Sequence, residues 1–474
     1  MSDYYEEFKP IRNKLSKINL FFILNFISRE TKREQTRIVP EVINFLYSNA
    51  LMFCPTLKNI REVHTEKDII KIINEIEELD LKITGSTIEK FEWDWFVKLY
   101  ENQSKYKRHS FQFQLFRYYF IYSSPKLSDL FLKKFGIDYV NFLRSSVLLY
   151  SVFEKLNWKI EKNELEALIR THEEKSHTSL MNNIEVTLSI LSSDIITTRN
   201  SLKEKMKYDE NVFFQYSFSH LVNPIIKIDQ FLCCPNSNLL LNQFTGGVYY
   251  LLNMHKLQGT SGNIYGQEYE NYIGIILNKL LTDGYKLFHD EIYKRNGIEI
   301  RPPDWIIVED ESIVMIECKT KRKVINEKIF RNDTNDSYIQ FAITTLFQLY
   351  QRINDFINNY YGFLDYDHTK TIIPIILFLE DDLYIDIDFR ITNPLKELLK
   401  SEGIDEKIVE EFPAKYYSTS IFEFEVFLMF KYGFKKYFNM KSKNLISPDE
   451  DAGFSYNKIF SEEFEEIFVE PFKH

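Results

Sequence analysis

The chain has 474 residues and a formal net charge of −10, with 44% hydrophobic and 27% charged residues. Its length favours two or three domains that each bury a core, and it has no apolar run of the roughly 20 residues needed to span a bilayer. The acidic total argues against a protein that coats duplex DNA over its whole surface.

The cysteines and the first residues indicate the cellular compartment. None of the four cysteines has the spacing of a zinc site. The first residues do not resemble a signal peptide. We therefore expect a cytoplasmic protein with reduced thiols and no membrane association.

The first half of the chain carries helical patterns. Asp138 is placed to cap a helix over 139–150, where apolar side chains recur at i, i+3 and i+4. A second helix is predicted over 163–169, whereas the aromatic-rich stretch 111–122 fits a strand or a buried helix equally well. We predict a mostly α-helical N-terminal domain over 1–255 that positions substrate, senses a trigger or mediates assembly.

A glycine-rich stretch at 252–266 marks the clearest domain boundary. The residues after it place apolar side chains at helical spacing, which predicts an amphipathic helix. These side chains are Tyr269, Ile273, Ile276 and Leu280. The same helix opens with two glutamates, Glu268 and Glu270.

Two extended segments follow, and a polar turn separates them. Residues 304–308 and 313–319 are typical of the two strands of a hairpin. The run 313–316 is apolar without alternation, which indicates a strand buried on both faces. The pairing is expected to bring Asp304 beside Glu317.

Asp304, Glu317 and Lys319 are the candidate catalytic residues. In an extended strand, Glu317 and Lys319 project from the same face. Two carboxylates this close repel unless a cation lies between them, and hard oxygen ligands suit Mg²⁺ or Mn²⁺. Lys319 is expected to hold the attacking water or help to deprotonate it, while the metal offsets charge on a scissile phosphate. The predicted reaction is phosphodiester hydrolysis.

The segment from about 266 to 379 resembles the PD-(D/E)xK nuclease superfamily, which has the restriction-endonuclease-like fold. Pro303-Asp304 and, thirteen positions after Asp304, Glu317-Cys318-Lys319 carry the resemblance. It implies an α/β core over 256–390, in which a mixed sheet is flanked by helices.

The resemblance also implies a further carboxylate on the helix before the hairpin. Glu270 is preferred for it because an aromatic residue directly precedes it, and Glu268 is the alternative. The implied metal ligands are Asp304, Glu317, Glu270 and the backbone carbonyl of Cys318.

A basic cluster directly follows the hairpin, and next to a phosphodiesterase site it is expected to bind backbone phosphates. Its first members are Lys321, Arg322 and Lys323, with Lys328 and Arg331 further along. An ordinary solvated charge run explains the cluster as well.

A helix over 338–357 and a buried strand over 371–379 are predicted next. Some relatives carry a glutamine near the active site on this helix. Gln340 is nearest the expected helix start, Gln348 and Gln351 are alternatives, and a merely solvent-exposed glutamine explains each of them equally well.

The remaining residues, 391–474, are predicted to form a C-terminal helical extension that packs on the core. Asn393-Pro394 marks the start of one short helix and Gly403 marks its end.

Each site residue also has a structural explanation. Asp304 follows Pro302-Pro303 and could simply begin a turn. Glu317 and Lys319 could form a solvated face of an edge strand, and a glutamate at position 270 is favoured by the helix dipole. Only the conjunction of the motif with helices on both sides favours the nuclease interpretation.

The sequence thus predicts a Mg²⁺-dependent DNA endonuclease, plausibly in bacterial restriction or antiphage defence. An RNase with the same residues, or a catalytically silent scaffold that binds nucleic acid or protein, stays open. Because the sequence has no phosphate-binding glycine loop followed by Gly-Lys-Ser/Thr, NTP hydrolysis would need a separate NTPase or sensor partner. A homo-oligomer is also possible.

Overall fold

A computed structural model gives the fold. It describes residues 3–33, 38, 40–56, 64–88, 111–176, 180–205, 223–254, 261–281, 284–320, 335–379, 388–413, 421–429, 433–436 and 460–465. Among these residues, no helix is both long and apolar enough to cross a membrane.

The N-terminal half is mainly helical, as the sequence predicts. Its described helices are α1 Asp3–Leu15, α2 Leu20–Lys32, α3 Pro40–Phe53, α4 Glu66–Ile88, α5 Phe111–Tyr122, α6 Pro125–Phe135, α7 Tyr139–Ser151, α8 Lys162–Ser176, α9 Met181–Leu191, α10 Ile195–Lys205, α11 Ser237–Phe244 and α12 Val248–Leu251. A π-helical turn, Val152–Leu156, follows α7. The predicted cap is confirmed, because the Asp138 side chain accepts a hydrogen bond from the Asn141 N–H.

The same half also contains a small sheet that the sequence analysis did not predict. Its strands are β1 Lys159–Glu161, β2 Ser192–Asp194, β3 Ile225–Ile228 and β4 Phe231–Cys233, in the order β1-β4-β3-β2. Strands of three or four residues are too short to show a period of two.

The second half forms a mixed four-stranded sheet. Its strands are β5 Lys286–His289, β8 Trp305–Val308, β9 Ser312–Lys319 and β10 Thr371–Phe378, in the order β10-β9-β8-β5. β5, β8 and β9 pair antiparallel, whereas β10 is parallel to β9. A separate hairpin, β6 Tyr293–Arg295 and β7 Ile298–Ile300, lies between β5 and β8 in the chain. The predicted hairpin and the predicted last strand are therefore confirmed.

Helices cover both faces of this sheet. They are α13 Ser261–Leu280, α14 Asn335–Ile357, α15 Asp388–Ser401, α16 Ile408–Glu411, α17 Ile421–Met429 and α18 Ser461–Phe464. α13 and α17 belong to the core on one face, and α14 and α15 belong to the core on the other. β9 is buried along its length until Lys319, as expected for a strand between two helical layers. The whole is a mixed α/β fold with small mixed sheets flanked by helices.

The predicted start of the helix near Asn393 is wrong. α15 begins at Asp388, so Pro394 lies inside it. Ile391, Leu395 and Leu399 are all buried against the α14 side of the sheet. This packing outweighs the local preference of proline for a first turn. The predicted stop is consistent with Gly403, which has a left-handed φ of 74°.

A buried ionic network joins the N-terminal half to the helices around the sheet. Arg117 on α5 donates to both carboxylate oxygens of Glu425 on α17, at 2.9 and 2.5 Å. The Tyr272 hydroxyl on α13 donates to Glu425 Oε1 at 2.5 Å. The apolar core is likewise continuous from α5 through α13 to α17.

Replacing Glu425 by Ala should lower the free energy of unfolding by about 3–5 kcal/mol, because it leaves the Arg117 guanidinium buried without a carboxylate. Urea denaturation followed by tryptophan fluorescence measures this loss. The matched control is Asp129→Ala, which breaks the exposed Lys133–Asp129 pair and should cost less than about 1 kcal/mol. Equal losses in the two variants would contradict the importance of the buried network.

Candidate active site

The candidate site lies where β8 begins and β9 ends. Trp305 pairs with Ile316, and extending this register by one residue places Asp304 opposite Glu317. Asp304 Oδ2 accepts a hydrogen bond from the Cys318 backbone N–H at 2.6 Å. The carboxylate of one strand is thus fixed to the backbone of the other.

Glu317 and Lys319 meet on one face of β9, as the strand period predicts. The Lys319 Nζ donates to Glu317 Oε1 at 2.6 Å, and the Glu317 side chain is only 6% exposed. The second oxygen, Glu317 Oε2, is buried and accepts no hydrogen bond from any residue that the structure describes. An unsatisfied buried carboxylate oxygen is costly, and a bound cation would remove that cost.

Glu270 joins these residues from α13. Burial raises its pKa, Lys319 lowers it and Glu317 raises it again, with a net rise. Its charge is therefore close enough to interact with both residues of β9. Glu268 instead accepts a hydrogen bond from Asn271 at the exposed side of the helix. Of the two glutamates, Glu270 is the one that the fold brings to the site.

The Asp304 carboxyl is the most perturbed acid of the site. Burial raises its pKa to about 7, and the charges of Glu317 and Glu270 act in the same direction. Lys319 and the Cys318 N–H oppose this rise but do not cancel it. An excess of buried negative charge of this kind attracts a cation.

Lys319 stays protonated in this arrangement. Burial alone would lower its pKa, but Glu317 and Asp304 raise it by more, and the net effect is a rise. A charged ammonium donates hydrogen bonds and cannot accept a proton. Without further ligands, the geometry therefore favours holding a water or a phosphate oxygen over deprotonating the water.

The donor set fits Mg²⁺ or Mn²⁺. The N–H and C=O of one strand residue point to the same side, so the Cys318 carbonyl lies on the side where its N–H meets Asp304. Within the described part of the chain, no three His, Cys, Asp or Glu side chains group tightly enough to form a metal site by themselves. Mg²⁺ needs only one or two carboxylates, because it keeps several waters. Direct ligation by Glu270 stays a prediction.

An aromatic pair holds the two acid-bearing segments together. The His289 ring stacks on the Trp305 ring at 4.1 Å between centroids and 5° between planes. His289 Nδ1 lies 2.8 Å from the Asp304 carbonyl oxygen, and Trp305 Nε1 donates to the Glu270 carbonyl at 3.3 Å. The pair therefore links the backbones of Asp304 and Glu270.

Gly274 makes room for this pair on α13. A Cβ at this position would lie 2.6 Å from the Trp305 ring, which is closer than packed atoms can approach. The supporting roles of Gly274 and Trp305 were not predicted from the sequence, whereas a structural role is the usual one for a lone histidine such as His289. An isolated glycine inside a helical pattern was the available signal, since it often marks a close approach.

Most of the predicted nucleic-acid contacts lie outside the described residues. This is true of Lys321, Arg322 and Lys323. Gln340 is exposed on α14, and Gln348 is exposed as well. The role of Gln340 in substrate binding stays a prediction.

No family model, curated protein or solved structure matches this chain. Inferences about its function therefore come from its own residues and their geometry.

The raised pKa of Asp304 predicts that replacing it by asparagine stabilises the protein more at high pH than at low pH. Below the ordinary pKa of 3.8, folded and unfolded chains both carry the proton. Between pH 3.8 and about 7 the unfolded chain ionises while the folded chain keeps the proton, so the parent loses stability as the pH rises across this window, and the loss is complete once the folded chain holds a buried carboxylate. Asp304→Asn lacks this titration, so in EDTA its melting temperature should exceed that of the parent more at about pH 8.5 than at about pH 5.

Thermal melting of both proteins at the two pH values measures the difference. Asp129→Asn, at an exposed site, is the control for the loss of one negative charge. A melting difference for Asp304→Asn that does not change with pH would contradict the assignment of a raised pKa.

Proposed function

We propose that this protein is a metal-dependent nuclease that hydrolyses phosphodiester bonds of DNA, in a bacterial restriction or antiphage setting. The observation that carries the proposal is the meeting of Asp304, Glu317, Lys319 and Glu270 at one end of the sheet. In particular, a buried oxygen of Glu317 has no described hydrogen-bond donor, while its other oxygen binds the Lys319 ammonium.

The order of elements supports the proposal. A helix with a glutamate, a β-hairpin, a second helix and a buried strand follow one another as α13, β8–β9, α14 and β10. This is the order that the resemblance to PD-(D/E)xK nucleases implies. The parallel pairing of β10 with β9 also requires a crossover, which α14 provides.

Each residue of the candidate site has a separate proposed role in hydrolysis. Lys319, held by Glu317, presents an ammonium that can orient a water or a phosphate oxygen. Glu270 has a raised pKa, which brings it nearer to neutral pH and suits proton transfer. Asp304 is held in place by the Cys318 N–H. Asp304, Glu317 and the Cys318 carbonyl would hold a divalent cation, which would supply positive charge to offset the charge developing on the phosphate.

Purified protein should cleave plasmid or linear duplex DNA with Mg²⁺ or Mn²⁺ and not with EDTA. Lys319→Ala and Asp304→Ala should each reduce the cleavage rate by a factor on the order of 10² or more, because each removes a positioned catalytic group. Gel electrophoresis of timed reactions measures the rates.

Lys286→Ala is the matched control, because Lys286 is an exposed lysine at the end of β5 away from the site. Identical products from the parent and from Lys319→Ala would show that another protein or another site is responsible. Single-stranded DNA and RNA are included as substrates. Preferential cleavage of RNA would support the RNase alternative, and no metal-dependent cleavage would support the silent scaffold.

The two glutamates of α13 provide a second test. Glu270→Gln should lower the rate by about tenfold or more, since it removes a group that interacts with Lys319 and Glu317. Glu268→Gln, two residues away and facing Asn271, should change the rate by no more than about twofold. The reverse pattern would assign the helix carboxylate to Glu268.

A further inference from the structure

The β6–β7 hairpin begins and ends at the candidate site. It leaves the sheet after His289, the last residue of β5, and returns just before Asp304. Its two strands are joined by Asn296 and Gly297, which both have positive φ angles of 53° and 81°. These angles are typical of the tight two-residue turn that matches strand twist. The hairpin is therefore a compact projection whose base is fixed beside the catalytic carboxylates.

A buried aspartate anchors the hairpin to α14. Asp355 accepts a hydrogen bond from the Tyr293 hydroxyl at 2.6 Å and from Arg295 Nη1 at 2.8 Å. The Tyr293 ring packs on Tyr361, with 4.5 Å between centroids. The anchor lies on β6 and fixes the hairpin to α14.

The hairpin nevertheless exposes large apolar side chains. Ile298, beside the turn, is 67% exposed, and Ile292, just before β6, is 54% exposed. Single exposed apolar residues are common on protein surfaces. Here, two of them lie on one anchored projection next to a candidate active site, so a partner that covers them would also meet the site.

The charge of the hairpin identifies the kind of partner. From Ile292 to Arg301 the hairpin carries Lys294, Arg295 and Arg301 against Glu299, whereas Asp290 and Glu291 lie at its base. Arg295 is paired with Asp355, so Lys294 and Arg301 are the basic groups on offer to a partner. Arg301 is exposed and acts on the charge of Glu270, so it lies at the edge of the site. The Arg301 carbonyl also accepts a hydrogen bond from Arg352 Nε of α14 at 2.9 Å. Basic and apolar groups together suit a polyanion that also has apolar edges, and a nucleic acid is such a polyanion.

We infer that the β6–β7 hairpin enters the major groove of a duplex DNA substrate and holds a backbone strand at the site through Arg301 and Lys294. The inference rests on the proposed nuclease function. The major groove of B-form DNA is about 12 Å wide and admits a two-stranded ribbon, whereas that of duplex RNA is too narrow. Ile298 then contacts base edges, where thymine methyl groups are apolar. Lys294 and Arg301 contact phosphates.

Binding measured without cleavage tests this inference. The probe is a fluorescein-labelled DNA duplex of about 20 base pairs, titrated in EDTA over a series of salt concentrations and followed by fluorescence anisotropy. Arg301→Ala and Lys294→Ala should each weaken binding and reduce the slope of log affinity against log salt by about 1, the effect of one lost phosphate contact. Ile298→Ser should weaken binding by about fivefold and leave the slope unchanged, because it removes only apolar contact.

The chain offers a matched control for each kind of substitution. Ile196 is 66% exposed on α10, a helix of the N-terminal half, so Ile196→Ser controls for Ile298→Ser. Lys133 is 71% exposed and pairs with Asp129, much as Lys294 pairs with Glu299. Lys133→Ala therefore controls for Lys294→Ala. Both controls should bind with the affinity and salt slope of the parent.

Three outcomes would overturn the inference. The first is a parent that does not bind the duplex, and the second is hairpin variants that bind it like their controls. The third is a matched RNA duplex that binds as tightly as DNA and loses the same affinity in the variants. If the parent cleaves DNA and the hairpin variants bind the duplex as tightly as their controls, the nuclease proposal is kept and the inference about the hairpin is overturned. Loss of binding in the hairpin variants without any cleavage by the parent would overturn the nuclease proposal and leave the hairpin only as an element that binds duplex DNA.

Discussion

The constraint on which the rest of the structure depends is the repulsion among three carboxyl groups that share one amine. The charge of Glu317 raises the pKa of both Asp304 and Glu270, the charge of Glu270 raises the pKa of Asp304, and Lys319 offsets only part of these rises. Such an arrangement does not stabilise a fold, so the surrounding structure must impose it. Strain of this kind is typical of functional sites, where stability is exchanged for reactivity.

The fold imposes the arrangement through its most rigid parts. β9 is buried between two helical layers, so the backbone that carries Glu317 and Lys319 cannot move without displacing a central strand. The stacked rings of His289 and Trp305 tie the backbone before β8 to that of α13. Gly274 allows the helix to approach closely enough for this contact. Packing directly around the acids thus determines where their backbones lie.

The sequence predicts those helices and strands that are specified by the pattern of their own residues. Continuous apolar runs identify β9 and β10, and a repeat of buried side chains identifies α13. The short strands β1 to β4 depend on partners distant in the chain, such as Lys159 opposite Cys233, and carry no local pattern. α5 is buried on several sides, so its period is hidden. The candidate site residues form a local motif that the sequence alone reveals, whereas their supports act only through tertiary contacts.

The buried contact of Arg117 with Glu425 and Tyr272 has a consequence for how the molecule can be divided. The four-stranded sheet owes part of its covering to helices that come before and after it in the chain. A fragment limited to residues 256–390 would keep Tyr272 but lose both charged partners, and the apolar side of α13 would face water. The sheet and α13 therefore depend on α5 and α17 for a buried covering, and these parts of the chain form one cooperative unit.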